Sequence, residues 1–144
     1  MKRYLMTIVC MQFLFNVIFP MDKNQSQEQF LTTDGALQAI KFGSIALLKV
    51  SLMAGADITY RDETGNSLLL RASKKQKEDV ALYLLEQSYF QQPLIINEAN
   101  AYGETVLISA SYYNQEKLVS KLLKTTKINI NHNESNGCTA LHCD

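Results

Sequence analysis

Three octets, GNSLLLRA at 65–72, GETVLISA at 103–110 and GCTALHCD at 137–144, decide how this chain is read. Their glycines stand 38 and 34 residues apart. Each is followed two positions on by a hydroxyl residue (Ser67, Thr105, Thr139) and two further by a leucine (Leu69, Leu107, Leu141). In the first two octets Ala72 and Ala110 come three residues after that leucine. Self-similarity at this spacing marks a repeat architecture, in which a unit buries its apolar face only against its neighbours.

Each position has a physical reading. The hydroxyl can cap a first helical turn by accepting a backbone N–H, and the Thr139-Ala140-Leu141-His142 run reads as the opening of another such helix. The leucine starts an apolar stripe, and the small alanine lets a second helix approach closely. Thirteen residues after Ala72 and Ala110 come Leu85 and Leu123, which close VALYLL at 80–85 and LVSKLL at 118–123. Val80, Leu84 and Leu85 recur at helical spacing, as do Leu118, Leu122 and Leu123. Each unit is therefore expected to be two short helices back to back. Ile96-Asn97 and Ile130-Asn131, each followed by polar residues and the next glycine, predict a β-turn linker between units.

The pattern resembles the ankyrin repeat, whose period is about 33 residues with a T-P-L-H-x-A signature. GCTALH at 137–142 is the best single match, and MAGADIT at 53–59 is similar to the family's G-A-D-V-N exit from its second helix. Counting back thirteen residues from Leu52 puts the family alanine at Ala39, and Gly43 falls on the inter-helix glycine. A divergent first unit then places Ala36, Leu37, Ile40, Ile45, Leu48 and Leu52 inward. The resemblance implies an all-α fold, a solenoid of helix-turn-helix units linked by β-turns. About three repeats are expected, near 32–61, 62–99 and 100–133, plus the start of a fourth at 134–144.

Departures from the family pattern carry their own expectations. Leu68, Val106 and Ala140 stand where the family has proline, and Gln76 and Asn114 replace the inter-helix glycine. Leu70 and Ile108 replace the family histidine, so its cross-repeat hydrogen bond is expected to be lost and apolar packing to carry the middle units. The stretch 86–94, with Tyr89, Phe90 and Pro93, predicts a long exit loop that folds over a helix end or forms a contact. The fourth unit stops about one turn in. Leu118, Leu122 and Leu123 are therefore expected to expose apolar area, in a segment of a longer protein, a truncated frame, or a chain whose end a partner covers.

Composition narrows the function. A length of 144 residues suggests one domain, and 47% apolar content is enough for a core. Fourteen basic residues balance fourteen acidic ones, without the basic excess of a nucleic-acid binder. Lys74, Lys75 and Lys77, followed by Glu78 and Asp79, read as a solvated helix face. Near the start, Lys2 and Arg3 precede a mostly apolar run at 5–19, which Pro20 ends. A basic start and an apolar run of that length match a signal peptide over 1–21, with a polar linker at 22–31. No small-x-small cleavage site follows, so an uncleaved anchor stays open. The expectation is export, secreted or periplasmic, or membrane association through this segment alone. Cys10 lies in the apolar run, and Cys138 and Cys143 sit too close together to staple a fold.

No catalytic motif stands out. There is no Gly-rich phosphate loop, no Gly-x-Ser-x-Gly and no His-Glu-x-x-His. His132, Cys138, His142, Cys143 and Asp144 form the one group of potential ligands, at a spacing that fits no standard zinc pairing. No metal, cofactor or specific small molecule is expected, and the chain reads as non-enzymatic. The resemblance implies a protein partner, bound by the turn tips and the exposed face of the first helix of each unit. Those positions are Lys41 and Phe42; Glu63, Thr64, Asn66, Lys74 and Lys75; Ala101, Tyr102, Glu104, Tyr112 and Tyr113; and Ser135 and Asn136, with Cys138 beside them. Tyrosine is enriched at interfaces, although Tyr112 and Tyr113 could equally cover core edge. Two other readings stay open: a scaffold or targeting part of a longer enzyme or effector, and a decaying gene fragment.

Overall fold

The computed structural model describes residues 33–91, 95–125 and 128–142. Among them are six α-helices, a 3₁₀ turn and no strand. We label the helices α1 (Thr33–Phe42), α2 (Ile45–Met53), α3 (Leu68–Lys74), α4 (Glu78–Gln91), α5 (Val106–Tyr112) and α6 (Glu116–Leu123); the 3₁₀ turn is Ile95–Asn97. Within a unit α1 packs on α2, α3 on α4 and α5 on α6. Between units α3 touches both α1 and α5, and α4 touches both α2 and α6. The result is two helical rows, α1–α3–α5 and α2–α4–α6, stacked as an all-α solenoid.

The local sequence explains where the helices begin and turn. Ser44, Ser67 and Thr105 each accept a first-turn N–H through the side-chain oxygen, from Leu47, Leu70 and Ile108, at 3.2, 3.2 and 3.4 Å. The hydroxyls at 67 and 105 thus cap as their position suggested. Between the helices of each unit one residue turns left-handed: Gly43 at φ 73°, Gln76 at 56° and Asn114 at 55°. The glycine replacements keep the turn, at a conformational cost that asparagine bears more easily than glutamine. Ala39, Ala72 and Ala110 are completely buried where the rows meet. Leu48, Leu68, Leu70, Leu84, Val80, Val106 and Leu118 fill the rest of one continuous core.

Four expectations are corrected. Residues 86–91 continue α4 instead of forming a loop, because neither glycine nor proline interrupts the chain before Pro93; the side chains of Tyr89 and Phe90, and Pro93 itself, lie outside the described residues. Residues 139–142 form a turn, with the His142 N–H donating to the Thr139 carbonyl at 3.0 Å, and one such bond does not nucleate a helix. Leu118 and Leu122 are fully buried against the rest of the core, and of the expected trio Leu123 alone is exposed. Glu78 is not merely solvated: its Oε1 accepts the N–H groups of Lys117 and Leu118 at 2.9 and 3.1 Å, across to the next unit. The expected leader and linker, at 1–21 and 22–31, lie outside the described residues.

Candidate functional site

Polar turns project between the helix pairs, and those at 62–66 and 100–104 are each built on one side chain. Asp62 Oδ1 accepts the N–H groups of Thr64 and Asn66 at 3.0 and 2.9 Å, and the Thr64 hydroxyl at 2.7 Å. Its Oδ2 accepts from Asn66 Nδ2 at 3.0 Å and from Arg71 Nη1 at 2.8 Å. One unit on, Asn100 Oδ1 takes the N–H groups of Tyr102 and Glu104, both at 2.9 Å. Burial works to raise the Asp62 pKa, but the donors from Asn66, Thr64 and Arg71 outweigh it and hold the carboxyl well below its usual range. Asp57 is lowered in the same direction by the hydroxyl and N–H of Thr59, against a small opposing effect of burial.

Successive turns are laced together. The Ala101 N–H donates to the Thr64 carbonyl at 2.9 Å, and the Ser135 N–H donates to the Tyr102 carbonyl at 2.8 Å. Asn97 Oδ1 accepts the Asn129 N–H at 2.7 Å, and His132 Nε2 lies 2.9 Å from the Gly103 carbonyl. One joint earlier, Arg61 pairs with Glu98. Close approach accounts for Gly103, whose φ is 76°: a Cβ there would stand 3.0 Å from the Glu134 backbone.

The expected contact residues divide on this frame. Phe42, Tyr102 and Tyr112 are 69%, 60% and 65% exposed, and Lys41, Glu63, Lys75, Ala101, Ser135 and Asn136 are exposed too. Tyr113 is half-buried and meets Tyr112 edge to face, with ring centroids 5.0 Å apart. Thr64 is half-buried in the Asp62 turn. Lys74 and Glu104 form an ion pair at 2.6 Å between units. Asn66 is buried, and its amide is spent on Asp62, Thr64 and Asn100. The C-terminal ends of α1, α3 and α5 therefore bring Lys41 and Phe42, Lys75, and Tyr112 and Tyr113 into equivalent positions of successive units.

Some residues at these joints carried no signal in the pattern. Gln115 is buried; its Nε2 donates to the Ser73 carbonyl at 2.7 Å, and its Oε1 accepts the Ser73 hydroxyl at 3.0 Å. The same hydroxyl lies 3.0 Å from Ser109 Oγ. This polar set joins the second and third units, where loss of the family histidine had suggested a greater share for apolar packing. Gln115 precedes α6 without capping it by its side chain, and Glu78 of the preceding unit takes that role.

Among the described residues no three His, Cys, Asp or Glu side chains gather closely enough to hold a metal ion. No described helix is long and apolar enough to cross a membrane. A family model for ankyrin repeats, in three copies, matches residues 36–134. Comparison with curated proteins gives no match.

Proposed function

Because the chain belongs to the ankyrin repeat family, we propose that it is an exported, non-enzymatic module that binds a protein partner through the aligned ends of α1, α3 and α5 and the neighbouring turn tips. Ankyrin repeats are generally protein–protein interaction modules, and domains of this kind are typically non-enzymatic. One observation carries the assignment to this face: the ends of α1, α3 and α5 each leave an exposed side chain beside the inter-helix turn, Phe42, Lys75 and Tyr112, in three successive stacked units. Large aromatic rings left in water beside a cation supply apolar area and orientation at once. Lys41, Glu63, Ala101, Tyr102, Tyr113, Ser135 and Asn136 extend the surface, whereas Asn66, Thr64, Lys74 and Glu104 hold its shape.

Export rests on the basic start and the apolar run at 5–19. A reporter fused after residue 30 is expected to cross the membrane, and a reporter that stays in the cytoplasm overturns this part. For binding, the test is affinity capture with the full chain followed by mass spectrometry. A protein captured by the wild type and lost with the Tyr112→Ala/Tyr113→Ala double variant supports the face. Equal capture by both, with unchanged far-UV circular dichroism, places the contact elsewhere.

A further inference from the structure

Asn136 is the one asparagine of the chain that glycine follows. Asparagine is among the chemically labile residues. Its Cγ is an amide carbonyl within reach of the backbone nitrogen of the next residue, and glycine has no Cβ to crowd that approach. By sequence, Asn66 before the small Ser67 is the runner-up.

Folding separates the two. Asn66 is buried; its amide donates to Asp62 and Thr64, and its Oδ1 accepts from Asn100. Asn136 is exposed, and its side chain has no hydrogen bond among the described residues. Exposure belongs to this turn-tip position itself: Tyr102, one unit earlier, is 60% exposed although the next turn is bonded to it. The turns also differ in what holds them. Asp62 pins the N–H groups of Thr64 and Asn66, and Asn100 pins those of Tyr102 and Glu104. The equivalent residue of the turn at 134–138 is Glu134, a methylene longer, and its carboxylate makes no such bond among the described residues. Backbone bonds alone close that turn: Glu134 N–H to the Cys138 carbonyl and Gly137 N–H to the Glu134 carbonyl, both at 2.9 Å. Local opening of a turn held so lightly frees the Gly137 nitrogen.

We propose that Asn136 is a deamidation site, converted without an enzyme to aspartate and isoaspartate. The Gly137 N–H gives its proton to hydroxide or water, and its nitrogen bonds to Asn136 Cγ. The Cγ–Nδ2 bond breaks, and Nδ2 leaves as ammonia. Water then opens the succinimide ring. Opening at Cγ leaves aspartate; opening at the main-chain carbonyl leaves isoaspartate, in which the chain runs through Cβ and Cγ. No oxidant or reductant takes part. Either product places a negative charge beside Ser135, whose N–H bonds the Tyr102 carbonyl at 2.8 Å. Isoaspartate also lengthens the backbone inside the turn by a methylene. Any effect on a partner rests on the proposed binding face; the conversion itself does not.

The test is to hold the full chain at mildly alkaline pH, sample it over time, and digest each sample in acid so that digestion adds no conversion. Peptide mass spectrometry locates the amide-to-acid mass gain, and isoaspartyl methyltransferase with a labelled methyl donor detects isoaspartate. The gain and the label are expected first at Asn136, faster as pH rises, while Asn66 keeps its amide. Unfolding in urea is expected to let Asn66 convert as well, which would show that the fold protects it. Asn136→Gln is expected to lose both gain and label at this position with unchanged far-UV circular dichroism, because the longer side chain must close a larger ring. An Asn136 that keeps its amide in the folded chain and loses it only in urea overturns the proposal, since the turn then protects it. So does folded-state conversion at Asn66 that matches or precedes Asn136, or label at this position that persists in Asn136→Gln.

Discussion

Replacing Gln115 by alanine removes a side chain only 5% exposed that holds two bonds across the joint between the second and third units, at 2.7 and 3.0 Å. Neutral hydrogen bonds contribute about 0.5–1.5 kcal/mol each once competition with water is counted. The buried Cγ methylene adds about 0.8 kcal/mol. The expected loss is therefore roughly 2–4 kcal/mol, a large share of the about 5–15 kcal/mol that holds a domain together. The Ser73 hydroxyl keeps Ser109 as a partner, and the Ser73 carbonyl keeps the Gln76 N–H at 2.8 Å, so no buried group is orphaned to enlarge the cost. Gln115→Leu retains most of the volume but not the bonds, and should cost about 1–3 kcal/mol. Urea unfolding followed by far-UV circular dichroism reads both, with the midpoint falling in the order wild type, Leu, Ala. An alanine variant within about 0.5 kcal/mol of the wild type, the range of an ordinary surface substitution, would refute the view that this polar set joins the units.

Glu78→Ala should destabilise by about 0.5–2 kcal/mol, the usual cost of losing a helix cap. Glu116→Ala, at the equivalent position, should stay within about 0.5 kcal/mol in dilute solution, so equal effects in thermal melts would contradict the cross-unit cap. Gln76 holds φ 56°, so Gln76→Gly should relieve the left-handed strain and raise stability by about 0.5–1 kcal/mol after the added freedom of the unfolded chain is subtracted; a lowered melting temperature would count against it. Asp62 has its folded pKa depressed below the ordinary 3.8, so between the two values the unfolded state binds more protons and stability rises with pH. Its contribution is whole above the unfolded pKa and drains away as pH falls below it. The gap in melting temperature between wild type and Asp62→Asn should accordingly be widest near neutrality and close below about pH 4; a gap independent of pH would show that the carboxylate charge is not what matters.

The helix pairs were legible because their signals are local. A capping hydroxyl, a small residue and an apolar stripe recur at Ser67, Ala72 and Leu85, and again at Thr105, Ala110 and Leu123. Even the divergent first unit yields to counting back from Leu52 to Ala39, which is fully buried. The length of α4 was misread because aromatic and polar residues at 86–91 look like a turn, although no breaker precedes Pro93. Cross-unit polar contacts were hidden for a different reason. Glu78 with Lys117, Ser73 with Gln115 and Lys74 with Glu104 lie 39, 42 and 30 residues apart in the chain. Which of many similar side chains meet is set by the register of stacking, and no local pattern encodes that. Asn66 shows the same limit at the candidate site: its place at a turn tip suggested contact with a partner, but folding brings Asn100 against it instead.

Site-specific photo-crosslinking tests most directly the claim that the stacked repeats present a protein-binding face. A photoreactive phenylalanine analogue placed at Tyr112, exposed on that face, is compared with the same group at Asp79, exposed at the start of α4 in the other helical row. Both are used in the full chain, in the source-cell fraction that supplies the captured protein. The account predicts a crosslinked partner band from position 112 that a Phe42→Ala substitution weakens, with little or none from position 79. Crosslinking that is equal at the two positions, or stronger at 79, would contradict it.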